Sequence, residues 1–518
     1  HILVLDNHDD FGGHAKRNEF DLDGRTLLCH GGSQSLESPG LYSAQSKKLL
    51  QDLGIEPRRF YDYFDQDFFG RQGLRPAIYF PAKDYGRDLT LPNLVESWGA
   101  AASAAAHREI IAQYPISEAS KGALLRLLHD ETDYLAPLPV AEKRKLLRSM
   151  SYTQFLRTYV AATEEVVTIM TDVKKGYWGF GWDALSALEA ARMEMPGTYG
   201  LGLDIQMRRA DGDDEPYIFH FPDGNASVAR MLVRDLIPGS APGSTMEDVV
   251  LAPLDYSVLD RAGAAVRLRL NATAVDVVHT ADQKHVDVLY VREGVVEQVR
   301  GRHVILACYN MVIPHICAEL PAAQRQAINY PEKTPIAYIS IALRNWRAFK
   351  NLGIYNVYQP NAEFMYSFGL DFPVSMGGYR YPASPDDATV LHGTFAPTLP
   401  GQGLNQKQQH RAGRARMLQM SFDDFEQGIT AQLDGALGGG GFDSARDIAA
   451  ITVNRWPHGY AYEYNDLYDP PEYTPQNGPH IAARAQLGRI SIANSDSSAY
   501  AFVDGAIDAA ARAVAEQL

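Results

Sequence analysis

Asp6 closes the apolar run HILVLD, and Phe11, Gly12, Gly13, His14, Lys16 and Arg17 follow it closely. An acid that ends a buried strand can accept hydrogen bonds from the ribose hydroxyls of an adenine nucleotide. A polar turn and the double glycine Gly12–Gly13 follow, then His14, Lys16 and Arg17. In such folds the glycine-rich turn precedes the acid by about 20 residues, and here the acid is the sixth residue. The first strand of the unit and its glycine-rich turn are therefore expected to be missing, and a chain without them should hold its nucleotide weakly.

Two further stretches carry chemistry. The strand Arg489–Ala493 leads through Asn494, Ser495 and Asp496 to a helix that should begin near Phe502 or Asp504. Such a helix N-terminus presents free N–H groups and a positive dipole end to an electron-rich ligand. On a plainer reading, Asp496 or Asp504 only caps the helix. The segment RWPHGYAYEYND spaces Tyr460, Tyr462 and Tyr464 at alternate positions. On a strand, alternation puts the three rings on one face and Glu463 on the other; simple strand packing is the alternative.

These segments need a large scaffold. The chain has 518 residues, with 46% hydrophobic and 21% charged, ordinary values for a globular protein. A net charge of -15 excludes the basic stripe of a nucleic-acid binder and suits solubility or a cationic substrate. Cys29, Cys308 and Cys317 have no metal-ligand spacing; Cys308 and Cys317 sit in apolar surroundings and read as buried thiols, and no metal site is expected. No apolar run is long enough to span a bilayer.

Strand-rich islands lie at 1–33, 265–310 and the end of the chain, with a further strand, TPIAYISIALRNW, between the last two. Helices are expected at 44–54, 93–114, 142–147 and 414–433. This interleaving predicts an α/β chain: a Rossmann-like nucleotide-binding domain from 1–75, 215–330 and 450–518, and a discontinuous α+β substrate-binding domain from 76–214 and 331–449.

In order and wording these segments resemble the FAD-dependent amine oxidase family, which includes monoamine and polyamine oxidases. LDNHDDFGGHAKRNEF is similar to that family's second strand and glycine pair. LLCHGGSQSLESPGLYSAQSKKLLQDLGIE is similar to its stretch beside the flavin, and ISIANSDSSAYAFVDGAIDAAARAVAEQL to its closing strand and helix. NATAVDVVHT and GRHVILAC look like the strands that flank its adenine. Within the family, RWPHGYAYEYND and the GGSQS segment are most similar to the bacterial spermidine dehydrogenase branch.

The resemblance implies noncovalent FAD, with Asp6 on the adenosine ribose and Phe11, Gly12, Gly13, His14 and Lys16 along the phosphates. Gly32 and Ser33 would pass beside the flavin ring, and Val275 would contact adenine through its backbone. Asp496 would meet a ribityl hydroxyl or the pyrophosphate, and Val503 N–H the pyrimidine end. Tyr460 or Tyr462, with Phe502, would flank the substrate carbon as it gives a hydride to flavin N5, the imine then being hydrolysed.

Departures from the family pattern carry information. His14 stands where the family has arginine. The strand lysine that holds a water at flavin N5 in many members is replaced at Ile336 and Ala337, with Lys333 in the preceding turn. Its loss favours a dehydrogenase handing electrons to a protein or quinone over an oxidase. The resemblance also leaves room for a haem, although His30, His303, His315 and His458 show no axial-ligand spacing. It favours the bacterial periplasm. A small amine, a polyamine such as spermidine, is the expected substrate. A flavin-dependent desaturase or isomerase of the carotenoid type, or a non-catalytic protein that kept the fold, are the competing readings.

Overall fold

The computed structural model describes residues 1–95, 103–203, 205 and 215–518. Its strands are β1 (Ile2–Leu5), β2 (Arg17–Leu22), β3 (Arg25–His30), β4 (Arg75–Phe80), β5 (Leu89–Pro92), β6 (Val266–Arg269), β7 (Thr273–His279) and β8 (Val286–Arg292). They continue with β9 (Val295–Gly301), β10 (Val304–Leu306), β11 (Thr334–Leu343), β12 (Ile354–Tyr358), β13 (Ser367–Leu370), β14 (Thr389–Phe395), β15 (Ile448–Tyr460) and β16 (Ile490–Ile492).

Among the described residues the largest sheet has the order β15-β11-β14-β13-β12-β4-β5, antiparallel throughout except for the parallel β12–β4 pair. β11, between β15 and β14, is its most buried long strand. Nine of its ten residues are buried, which explains the unbroken apolar run in the sequence. The hairpin β2–β3 lies against this sheet, where Leu27 and Cys29 pack on Ala342 and Val390. β15 crosses the 449/450 boundary between the two expected domains and stays in the large sheet to Tyr460.

The segments expected to bind a nucleotide form smaller sheets. β1 pairs in parallel with β6, and β10 in parallel with β16, but no ladder joins the two pairs. Ile2 and Val4 on β1 and Ile305 on β10 are correspondingly exposed. A separate antiparallel sheet, β7-β8-β9, covers this region.

Helix starts follow local chemistry. Ser43, Ser117, Ser151, Thr163 and Ser186 each accept a hydrogen bond from the backbone N–H three residues on, and apolar faces bury behind them. Two helix expectations change. The stretch 414–433 is two helices, Gln406–Gln419 and Phe422–Leu437, because Ser421 and Asp424 form a capping box that starts a new helix. Of the helix expected over 93–114, the described residues show Ala104–Ile111, started by the Ser103 cap; residues 96–102 lie outside the described residues.

Candidate active site

Two glycine turns meet face to face. Gly12 has φ +103°, and a Cβ there would stand 2.8 Å from the Ala15 carbonyl and 3.2 Å from Ala229. Gly13 has φ +57° in open space. The chain then delivers the His14 carbonyl to Ser33 N–H at 2.6 Å, while Gly31 N–H donates to the Lys16 carbonyl at 2.7 Å. A Cβ on Gly32 would sit 2.1 Å from the His14 oxygen, so only glycine permits this approach. Trp456 closes the other side, donating Nε1–H to the Gly31 carbonyl at 2.7 Å. Asn225, heading the helix Ala226–Leu236, anchors Ser33 through its amide side chain at 2.8 Å.

From this turn a polar chain leads to the C-terminal island. His14 Nε2 is hydrogen-bonded to Tyr309 Oη at 2.8 Å, and Lys333 Nζ lies 4.7 Å above the Tyr309 ring. Lys333 also donates to Asp496 Oδ1 at 2.5 Å, both side chains being only 4% exposed. Asp496 Oδ2 accepts the Asn310 N–H at 3.0 Å. Sequence reasoning placed Lys333 in a turn near the site but did not see that it faces Asp496. The helix Val503–Gln517 begins at Phe502, which supplies no side-chain acceptor, so no side chain at that position satisfies the first-turn N–H groups.

The aromatic segment departs from expectation. β15 ends at Tyr460, so Tyr462 and Tyr464 are not on a strand and the three rings do not share a face. Tyr460 Oη meets Tyr338 Oη at 2.5 Å. Tyr462 is buried and donates to Asp469 at 2.8 Å, whereas Tyr464 bonds His480 at 2.7 Å. Phe502 packs on Tyr500 with centroids 4.7 Å apart. Each ring has found a different partner, because the chain turns away once the β11 ladder is exhausted. Glu463, expected on the opposite face, accepts from Ala501 N–H beside Phe502 at 3.3 Å.

The remaining expected residues are spread along the chain. Asp6 directly follows β1 and accepts from His8 N–H at 2.9 Å. Phe11 is buried among Val233, Ile237, Val258, Leu259 and Leu268, which makes it a packing residue. Lys16 is partly exposed, 3.6 Å from Asp9. Val275 falls where the β7–β8 register skips a residue, which lifts it from the ladder and leaves it exposed. Cys29 and Cys317 are buried thiols, and Cys308 is half-buried. Of the histidines considered for a haem, His30 is buried beside His392 while His303 is exposed and bonded to Gln517.

Burial sets the electrostatics. It pushes the His14 imidazole down to about 3, helped by Lys333, and those of His30 and His458 to about 4. These rings are neutral at neutral pH, and the Lys333 charge is met by Asp496. Burial also raises the Tyr460 phenol to about 12. His458 Nδ1 and Asp504 Oδ1 are buried with no hydrogen-bond partner among the described residues.

No protein-family model matches the chain, and no curated protein matches it. Solved structures do. Wild-type putrescine oxidase bound to putrescine is similar at 16% identity and TM-score 0.51, covering 99% of this chain and 92% of that one. A double mutant of putrescine oxidase from a redesign of its cofactor binding matches with TM-score 0.52 at the same identity and coverage. Cyclohexylamine oxidase from Brevibacterium oxydans IH-35A matches at 13% identity and TM-score 0.51 over the same shares of both chains. The chain has the mixed α/β fold of these amine oxidases along nearly its whole length.

Proposed function

We propose that the chain is a flavin-dependent oxidoreductase of small primary or secondary amines, acting on a polyamine such as spermidine and holding FAD noncovalently. The observation that carries this reading is the Gly31–Ser33 turn, clamped between the His14 carbonyl and Trp456 in an amine oxidase fold. The open face of Gly13 and buried polar atoms without a partner among the described residues fit a polar-edged cofactor. Residues 1–75, 215–330 and 450–518 would form the half that holds it, and 76–214 with 331–449 the half that shapes the substrate site.

Bound FAD would supply the hydride acceptor for the amine α-carbon. Asp6 would accept from the adenosine ribose, the Gly12–Gly13 backbone would lie along the phosphates, and Asp496 would meet the ribityl chain or pyrophosphate. The start of the Val503–Gln517 helix would favour negative charge on the bound group through its dipole. Neutral imidazoles and phenols would let the reacting amine lose its proton, while the net charge of -15 draws in the cationic form. Ile336 and Ala337 are fully buried and offer no amine to hold a water, which supports a dehydrogenase passing electrons to a protein or quinone.

Anaerobic stopped-flow with FAD-loaded protein tests the reading: spermidine or putrescine should bleach the flavin, and Tyr460→Ala and Phe502→Ala should slow bleaching more than they weaken FAD. Tyr462→Ala should instead lower stability, since its hydroxyl serves Asp469. A flavin that no amine bleaches refutes the activity; normal rates in both variants refute the roles of Tyr460 and Phe502.

A further inference from the structure

The interface between the β2–β3 hairpin and the large sheet holds a cluster that no step of amine oxidation uses. β3 contributes Cys29 and His30, β14 contributes His392, and Asp371 follows the last residue of β13. The Cys29 sulfur and one ring nitrogen of each histidine lie within 4.8 Å of one another. Cys29 Sγ is 3.8 Å from His392 Nδ1. In a tetrahedral site with metal–sulfur and metal–nitrogen bonds of about 2.3 and 2.0–2.1 Å, such donors stand roughly 3.5 Å apart. A shift of a few tenths of an ångström would bring Cys29 and His392 to that spacing, and the widest donor pair would have to close by up to about 1.3 Å.

We infer that Cys29, His30 and His392 form a binding site for a zinc-like transition-metal dication. His30 is 3% exposed, and its Nδ1 is bound to the Gly32 carbonyl at 3.0 Å. That bond selects the tautomer whose lone pair is on Nε2, and Nε2 is buried with no partner in the protein. A carbonyl on the far nitrogen is the outer support that metal-bound histidines commonly have. Ser340 Oγ donates to Cys29 Sγ at 3.4 Å, an interaction that also suits a thiolate. Asp371 lies against the Cys29 thiol and lines, with His30 and His220, a small cavity beside the cluster. One sulfur and two imidazoles select zinc or a similar dication over magnesium or calcium, which prefer all-oxygen sites. The site is independent of the flavin reading, since none of its donors is assigned to FAD or to the amine.

The test uses the full chain, stripped with EDTA and then titrated with Zn²⁺ or Co²⁺. Equimolar zinc should remain after gel filtration, and the cobalt form should show a thiolate-to-cobalt charge-transfer band with strong tetrahedral d–d bands. Cys29→Ser should remove that charge-transfer band and weaken binding by more than about 100-fold, beyond the loss caused by removing an outer partner. His392→Gln should weaken binding similarly, and Cys317→Ser should change nothing. X-ray absorption on the unmutated zinc form should show one sulfur at about 2.3 Å, which decides the matter even if a variant fails to fold. Absence of equimolar metal, a zinc shell without sulfur, or unchanged binding by folded Cys29→Ser would overturn the proposal.

Discussion

Replacing Gly32 with alanine probes the contact on which the candidate active site is built. The new methyl carbon would lie 2.1 Å from the His14 carbonyl oxygen. Ordinary C···O contacts begin near about 3.3 Å, so the two segments must part by roughly 1.2 Å. Neither can move freely. Gly31 is held by Lys16 and Trp456 at 2.7 Å each, and Ser33 by His14 at 2.6 Å. Parting the turns stretches the Ser33–His14 hydrogen bond beyond about 3.5 Å, which removes it. Overpacking costs about 1–3 kcal/mol and the lost hydrogen bond about 1 kcal/mol, for a total of about 2–4 kcal/mol. Gly13→Ala is the control. Its Cβ meets nothing within 4 Å, and only the positive φ of +57° penalises it, by about 1–2 kcal/mol. Urea unfolding at constant m reads both changes as midpoint shifts, and FAD titration reads the damage to the turn. If Gly32→Ala unfolds at the wild-type urea concentration, the two turns are not clamped and the reasoning fails.

Lys333→Met should destabilise the fold by about 3–5 kcal/mol, because it strands the buried Asp496 carboxylate, and adding Asp496→Asn should restore part of that loss; equal thermal melts for the single and double variants would contradict this. His410 is buried between the Glu332 carbonyl and the Thr334 hydroxyl, and burial lowers its imidazole from 6.5 to about 4. Its folded value lies below its unfolded one, so it has no effect on stability above about pH 6.5 and costs progressively more as pH falls to 4, where the unfolded chain takes the proton first. The loss over that window should be about 3 kcal/mol, and His410→Gln should flatten it in urea midpoints measured against pH.

Some of this protein was legible without its fold. Strand β11 occupies the run TPIAYISIAL, β1 the opening apolar run, and the terminal helix starts at Val503, between the expected Phe502 and Asp504, although neither Asp496 nor Asp504 caps it. These signals are local: apolar runs, glycines that alone permit a turn, and caps act over a few residues, so composition and spacing determine them. The helix break at Met420–Ser421 was equally local, and its capping box could have been read from Ser421 and Asp424. The pairings that define the sites were not. Lys333 meets Asp496 across 163 positions and Cys29 meets His392 across 363, and neither member carries a nearby mark of its partner. The fate of Tyr462 was likewise decided at a distance, by where β15 runs out of a strand to pair with and by Asp469 waiting beyond the turn. The sequence determined which segments become strands, turns and helices; sheet order and side-chain packing decided which groups meet, because burial and long-range hydrogen bonding act only once the chain has closed on itself.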